Sequence, residues 1–341
     1  MLYMVSNSRE LLKLLIEINL LSLLSLKQFS TTMPPMKEDY DNIEEQLKSR
    51  SSDRLKIPTL DSQMAKSIEH LFLLSESDLG VIRNGGRRGS NYGPRAIVQT
   101  LKKMAAHKEH KLAEESIRGK LSDESFNEQQ ICDTNSIGKL IENSPNANLW
   151  HIGGGHDHIY PLLSALNKEH KNITVINIDA HLDTRQDSHF HSGTPFRQFA
   201  NECKGEFKLL QLGIHKFANS TSTYDALAKG EMKIYTNAQL EKETANFTSI
   251  PSFLDKELFE SKDELIVLSL DCDAIDSMTM EAVSAVNHDG LSLKSVKAIF
   301  SWYYSLSQNK KVVGIYEYNP IFDSLSCKGA RSIASLIEAF L

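Results

Sequence analysis

The chain has 341 residues, 40% of them hydrophobic and 24% charged, with a formal net charge of −6. That is ordinary for a soluble globular protein and supplies a core for one large α/β domain or two smaller ones. The negative balance argues against a nucleic-acid-binding surface, which should be basic. The four dispersed cysteines (Cys132, Cys203, Cys272, Cys327) form no C-x-x-C pair, so they are read as free, buried thiols and not as a disulfide framework or zinc ribbon.

Residues 1–50 read as an extension outside the domain. The apolar stretch over residues 11–26 is interrupted by Lys13 and Glu17, and its unbroken part is shorter than the roughly 20 residues a membrane span needs. It has the look of a targeting segment, although Glu10 and Glu17 are unfavourable in a mitochondrial presequence. A cytoplasmic location is expected, with mitochondrial targeting by the extension left open. Residues 51–341 are expected to form a single catalytic domain.

Residues 78–82 read as a strand leading into a glycine-dense loop and a helix with Pro94 near its start. The loop has neither G-x-G-x-x-G nor P-loop spacing, so it is structural by default, with Arg87 and Arg88 as loop anchors. Residues 102–121 have a charged, helical pattern, and residues 122–144 read as polar connection. Residues 149–152 form a short apolar strand ending in Gly153-Gly154-Gly155-His156-Asp157-His158. Glycines there allow a sharp turn, and at most one of the three polar residues is expected to be a ligand.

The apolar run 173–178 reads as a buried strand ending in Asp179, His181 and Asp183, spaced i, i+2, i+4. Extended backbone would put all three on one face. Taken alone, they could equally be a turn residue, a buried histidine and a helix cap. Further strands are expected over residues 207–214, weakly over 233–235, and over 265–270. The last of these runs into Asp271-Cys272-Asp273, whose two carboxylates share a face by alternation while Cys272 points away. Residues 250–259 and 291–306 read as helices, residues 311–315 as the final strand ending near Glu317, and residues 331–341 as a closing helix. Strands alternating with helices imply a parallel sheet covered on both faces.

Several strand ends therefore carry His156, Asp179, His181, Asp183, Asp271, Asp273 and Glu317. Gathered at one sheet edge without counter-charge, so many like-charged groups would be too costly to bury, and divalent cations remove the cost. An oxygen-rich set with some imidazole suits Mn²⁺ better than Zn²⁺ or Mg²⁺. Two such ions, about 3.5–4 Å apart, share and activate a water, so the implied chemistry is hydrolysis.

The motifs Gly153-Gly154-Gly155-His156, Asp179-Ala180-His181-Leu182-Asp183, Ser192-Gly193-Thr194-Pro195-Phe196, Asp271-Cys272-Asp273 and Glu317-Tyr318-Asn319-Pro320 resemble, in order, those of the ureohydrolases: arginase, agmatinase and formimidoylglutamase. The resemblance runs from about Gly80 to the C-terminus. It implies a three-layer α/β/α fold with a mostly parallel, about eight-stranded sheet. It also implies two Mn²⁺ per subunit, held by His156, Asp179, His181, Asp183, Asp271 and Asp273, and a homo-oligomer, trimer or hexamer. Arginases and agmatinases carry a histidine where this chain has Ser192, and arginase has an asparagine where it has Arg185. Both departures, and the Arg-Asn-Gly-Gly-Arg loop at residues 83–87, look like formimidoylglutamase.

An arginine suits a small-molecule substrate bearing carboxylates and would repel cationic agmatine. The expected reaction cleaves N-formimidoyl-L-glutamate to L-glutamate and formamide. Asp183 would pass a proton to the departing amine, Glu317 would hold the amidinium, and Arg185 and Ser192 would contact substrate, with lesser help from residues 215–220. Arg197 is read as a tether between helix and loop, and His191 as an exposed loop histidine. The rivals are a ureohydrolase acting on a guanidino acid or agmatine, and a catalytically silent oligomeric member of the family. No nucleic-acid or membrane partner is expected.

Overall fold

The apolar runs become eight short strands: β1 (His70–Ser75), β2 (Leu112–Ile117), β3 (Asn148–Gly153), β4 (Asn172–Ile178), β5 (Phe207–Ile214), β6 (Gly230–Thr236), β7 (Glu264–Asp271) and β8 (Val312–Tyr316). The structure, a computed structural model, describes residues 53–117, 126–227, 229–258, 264–308 and 310–341, so the expected extension over residues 1–50 lies outside the described residues. Leu55–Leu341 form one compact unit.

The strands pair in parallel throughout one sheet, in the order β2-β1-β3-β8-β7-β4-β5-β6. Parallel pairing needs crossovers, and these are helices on both faces. On one face Leu74, Ile152, Ile176 and Leu268 pack with α2 (Gly93–Leu101), α8 (Leu293–Ser305) and α9 (Lys328–Glu338). On the other, Leu73, Leu149, Val175 and Val267 pack with α3 (Phe126–Asn143), α4 (Ile159–Leu166) and α5 (Pro195–Glu202). Neighbouring residues of one strand thus feed different cores, as a period of two requires. The result is the expected three-layer α/β/α architecture. The remaining helices are α1 (Leu79–Arg83), α6 (Asn237–Glu243) and α7 (Ile250–Glu257). Among the described residues no helix is long and apolar enough to cross a membrane.

Three local expectations need correction. Residues 78–82 are not a strand: the Asp78 carbonyl accepts from the Ile82 N–H at 3.0 Å, closing the turn that begins α1. The strand lies upstream as β1, buried at every position. Within residues 102–121 the expected helix gives way to β2, an edge strand whose Glu114 and Glu115 make it look charged; Glu114 pairs with Lys102 at 3.0 Å. Residues 122–144 include α3 and are not simple connection. Its inward side carries polar Gln130 and Asp133 among Phe126, Ile137 and Ile141, which hides the helical period. The cysteines also divide, with Cys203 and Cys272 buried but Cys132 and Cys327 exposed.

Two buried histidines predict an acid limit to stability. Burial pushes His70 down from 6.5 to about 4, against the opposing charge of Glu69. Burial, helped by His158, pushes His151 down to about 3. Both stay neutral, His70 accepting from Trp150 Nε1 at 3.2 Å and His151 lying 2.9 Å from Ser75 Oγ and 3.0 Å from the Tyr316 hydroxyl. Below pH 6.5 the unfolded chain binds protons that the folded chain refuses, so stability falls with pH from 6.5 until the folded values are reached. Each site contributes a loss on the order of 3 kcal/mol or more. The carboxyls of the metal-free centre, raised by burial, act in the opposite direction, so the histidine contribution is read by difference: between pH 6.5 and 4 the urea midpoint of chelator-treated wild type should fall relative to that of His70→Gln. Parallel profiles for the two proteins would contradict the assignment.

Candidate metal centre and active site

The sheet order determines where the chemistry lies. Adjacent strands β3, β8, β7 and β4 end beside His156, Glu317, Asp271 and Asp179, so residues far apart in sequence meet at one carboxyl edge. After β3 the chain turns so tightly that a Cβ on Gly154 would lie 2.1 Å from the Ser77 carbonyl oxygen, which demands glycine. That turn delivers His156 into the interior, where its ring stacks on Tyr316 with centroids 4.9 Å apart.

His156 Nδ1 faces three carboxylates: Asp179 at 3.1 Å, Asp183 at 2.9 Å and Asp271 at 3.1 Å. Its other nitrogen lies 2.9 Å from Ser269 Oγ. A second group adjoins the first, with His181 Nδ1 3.0 Å from Asp273 and 3.6 Å from Asp179. In each of the two groups the ligating atoms lie within 4.8 Å of one another, and Asp179 belongs to both. Buried His156 Nδ1 and Asp273 Oδ1 have no hydrogen-bond partner of acceptable geometry. Donor atoms that converge without bonding one another are what a cation needs.

The electrostatics agree. Burial drives Asp183 and Asp271 up, and neighbouring carboxylates push further, Asp179 on Asp183 and Asp273 then Asp179 on Asp271. Burial acts the same way on Asp179, but His156 and His181 outweigh it and hold that carboxyl low. Burial would lower His156, yet the three carboxylates around it hold it well above 6.5; His181 is raised chiefly by Asp273. An acid-rich cluster that raises its own histidines in this way favours positive charge at its centre, so the residues fit divalent metal.

The local backbone differs from the expected alternation. β4 ends at Ile178, and residues 179–183 turn, with Asp183 in the left-handed region at φ 51°. Asp179 Oδ1 accepts from the His181 N–H at 2.7 Å, which ties the turn together. Asp271 is the last residue of β7, whereas Asp273 sits in a 3-10 turn whose N–H donates to Asp271 Oδ1 at 2.9 Å. Glu317 also has positive φ, 66°. Such non-glycine residues cost on the order of 1 kcal/mol each and cluster at functional sites. Burial pushes Glu317 up to about 8, and its Oε1 accepts from the His156 N–H at 3.0 Å.

These groups open onto a cavity of about 270 Å³, lined by His181, Asp183, Asp271, Asp273 and Glu317 on one side. Arg185, Ser192 and Asn84 line the same cavity. The seven groups expected at strand ends lie together: five of them line the cavity along with the two expected substrate contacts, Arg185 and Ser192, while His156 and Asp179 join the metal-donor groups without lining it. Of the run 156–158, His156 alone enters a metal group; His158 lies 3.1 Å from the Ser77 carbonyl.

Asn84 was not legible as a site residue, because the glycine-dense loop is not wholly structural as expected. Its Oδ1 accepts from Arg185 Nη1 at 2.7 Å and its Nδ2 donates to Ser192 Oγ at 3.1 Å. The anchoring role of Arg87 does hold: its guanidinium lies 4.7 Å from the Phe322 ring centroid. Arg197 is the expected tether, donating to the carbonyls of Thr184, Asp225 and Ala226. His191 is buried, not exposed; it accepts from the Gly193 N–H at 3.0 Å and lies 2.7 Å from Asp187, which fixes the loop. In the 215–220 loop, Asn219 lines the cavity but spends its amide on the Ala180 and His215 carbonyls and the Leu182 N–H.

The chain matches the Arginase family over residues 78–341. The formimidoylglutamase of Klebsiella pneumoniae is 31% identical over 276 residues, covering 76% of this chain and 80% of the relative. That of Photorhabdus laumondii is 31% identical over 277 residues, covering 76% and 81%. Among solved structures, Bacillus subtilis formimidoylglutamase superposes with a TM-score of 0.68 at 24% identity, covering 84% of this chain and 89% of that one. Trypanosoma cruzi formiminoglutamase with Mn²⁺ superposes with a TM-score of 0.66 at 21% identity, covering 79% and 91%. By sequence match, sheet and donor cluster alike, this chain belongs to the arginase family.

Proposed function

We propose that the protein hydrolyses N-formimidoyl-L-glutamate to L-glutamate and formamide. The observation that carries this is a metal-donor cluster opening onto the same small cavity as one guanidinium, Arg185. Two Mn²⁺ per subunit would be held, one by His156, Asp179, Asp183 and Asp271, the other by Asp179, His181 and Asp273. Bound there, manganese supplies water activation at neutral pH and positive charge against the developing oxyanion.

The chain's own residues do the rest. Glu317 receives the amidinium; the substrate's positive charge reverses the burial penalty on this carboxyl, so the carboxylate is the form that binds. As water adds and the C–N bond to glutamate breaks, Asp183 passes a proton to the departing amine. Arg185 takes a substrate carboxylate by paired N–H bonds, and Ser192 assists. A cation such as agmatine meets repulsion at Arg185. Residues 51–341 act as the single catalytic domain of a cytoplasmic protein, and the family resemblance implies a homo-oligomer, trimer or hexamer.

A substrate panel with Mn²⁺-loaded protein tests this. Formimidoylglutamate should release formamide and glutamate, while arginine, agmatine and guanidinobutyrate should release little urea. Dominant urea release from guanidinobutyrate would move the assignment to a guanidino-acid hydrolase. Metal uptake without turnover of any member would favour the silent alternative.

A further inference from the structure

The cavity beside the metal groups offers one Lys or Arg side chain to a substrate that carries two carboxylates. Arg185 is the single Lys or Arg side chain among the described lining residues. The second carboxylate must therefore find neutral donors. Backbone and side-chain bonding around the wall identifies them.

A guanidinium has donors only, so the Asn84 atom 2.7 Å from Arg185 Nη1 must be the amide oxygen. The amide nitrogen then faces Ser192, which accepts at 3.1 Å. A hydroxyl that accepts keeps its own proton to give, and Ser192 Oγ makes no other hydrogen bond among the described residues. Next to the same loop, Ser284 Oγ accepts from the Arg87 N–H at 3.0 Å, again a group that can only donate. Ser284 lines the cavity too, so its proton is likewise available there. Thr223 differs, since its hydroxyl donates to the Ser220 carbonyl at 2.6 Å and can only receive from a ligand.

We propose that Asn84 is the positioning residue of a carboxylate clamp formed by Arg185 and Ser192, and that the Ser284 hydroxyl, polarised by the Arg87 N–H, receives the second carboxylate. This rests on the substrate assignment above. Asn84 touches no reacting atom. It holds the guanidinium in one orientation and commits Ser192 to donation, so its effect falls on binding.

The test uses the full-length, Mn²⁺-loaded protein with formimidoylglutamate and two single-carboxylate analogues, N-formimidoylglycine and N-formimidoyl-4-aminobutyrate. Asn84→Ala should raise KM about 10-fold with kcat within about 3-fold, the scale of hydrogen bonds to charged groups. Asn84→Asp, though isosteric, should raise KM further, because its carboxylate occupies Arg185 and cannot donate to Ser192. A merely structural asparagine predicts the reverse order. Ser284→Ala should raise KM for formimidoylglutamate and for just one of the two analogues. L-glutamate binding, followed by calorimetry, should weaken in parallel.

Asn84→Asp milder than Asn84→Ala, or a kcat loss at constant KM, overturns the clamp. Equal effects of Ser284→Ala on all three substrates overturn the second contact. Wild-type protein that binds glutamate yet hydrolyses no formimidoylglutamate fails the substrate assignment while leaving the glutamate titrations to judge the clamp.

Discussion

Asp179→Ala is expected to abolish activity and to remove manganese from both positions. Asp179 is the residue common to both donor groups, with Oδ2 3.1 Å from His156 Nδ1 and Oδ1 3.6 Å from His181 Nδ1. The carboxylate is held in place by the Asn177 amide at 3.1 Å and the His181 N–H at 2.7 Å. Losing an outer partner such as Asn177 costs roughly 10–100-fold, so losing the shared ligand should exceed that, on the order of 10³-fold or more in kcat/KM. Metal analysis of the variant should give well under one Mn²⁺ per subunit against two in wild type. Heating adds an independent readout: at 100-fold excess over Kd, wild type should gain about 2.7 kcal/mol from the metal. Asp179→Ala should gain none. Retention of both ions, or a loss below 10-fold, would show that the two groups do not form one centre.

That centre was legible because its parts follow a pattern sequence can carry. Central strands of a parallel sheet are buried on both faces, so β4, β5 and β7 appear as largely apolar runs, and the charged residues at the ends of β4 and β7 stand out. Metal donors come from few residue types, which makes His156, Asp179, His181, Asp183, Asp271 and Asp273 conspicuous together. The edge strand β2 lacks that signature, since solvent reaches Glu115 and Lys102 neutralises Glu114. α3 was hidden by the opposite effect, buried polar residues: Gln130 bonds Gln198 across the interface at 2.8 Å.

Backbone detail escaped for a different reason. Alternation along a strand predicts that Asp179, His181 and Asp183 converge, and they do, but through a turn with Asp183 in the left-handed region. The residues converge as metal chemistry requires, while the local geometry differs from the expected alternation. Asn84 carries no charge, ligates nothing and sits in a loop whose glycines suggest only a turn; its role exists through partners 101 and 108 positions away. His191 likewise gave no sign that Asp187 and Gly193 would enclose it.

Arg185→Ala is expected to lower kcat/KM for formimidoylglutamate by about 10²–10³-fold, mainly through KM, since paired charge-assisted bonds are roughly twice as strong as neutral ones. The half-buried guanidinium is outside both metal groups and has Asn84 as its side-chain partner, so manganese content should stay at the wild-type level. The backbone bond from the Arg185 N–H to the Gly193 carbonyl, 3.0 Å, survives the change and keeps the loop in place. Arg185→Lys separates charge from shape: a lysine restores the positive charge but not the planar fork, and should recover only part of the loss. Turnover of agmatine, poor in wild type, should not fall in Arg185→Ala, because a repulsive charge has been removed. Kinetics within 3-fold of wild type for Arg185→Ala on formimidoylglutamate would separate the guanidinium from substrate recognition. A matching loss of manganese would instead place Arg185 in support of the metal centre.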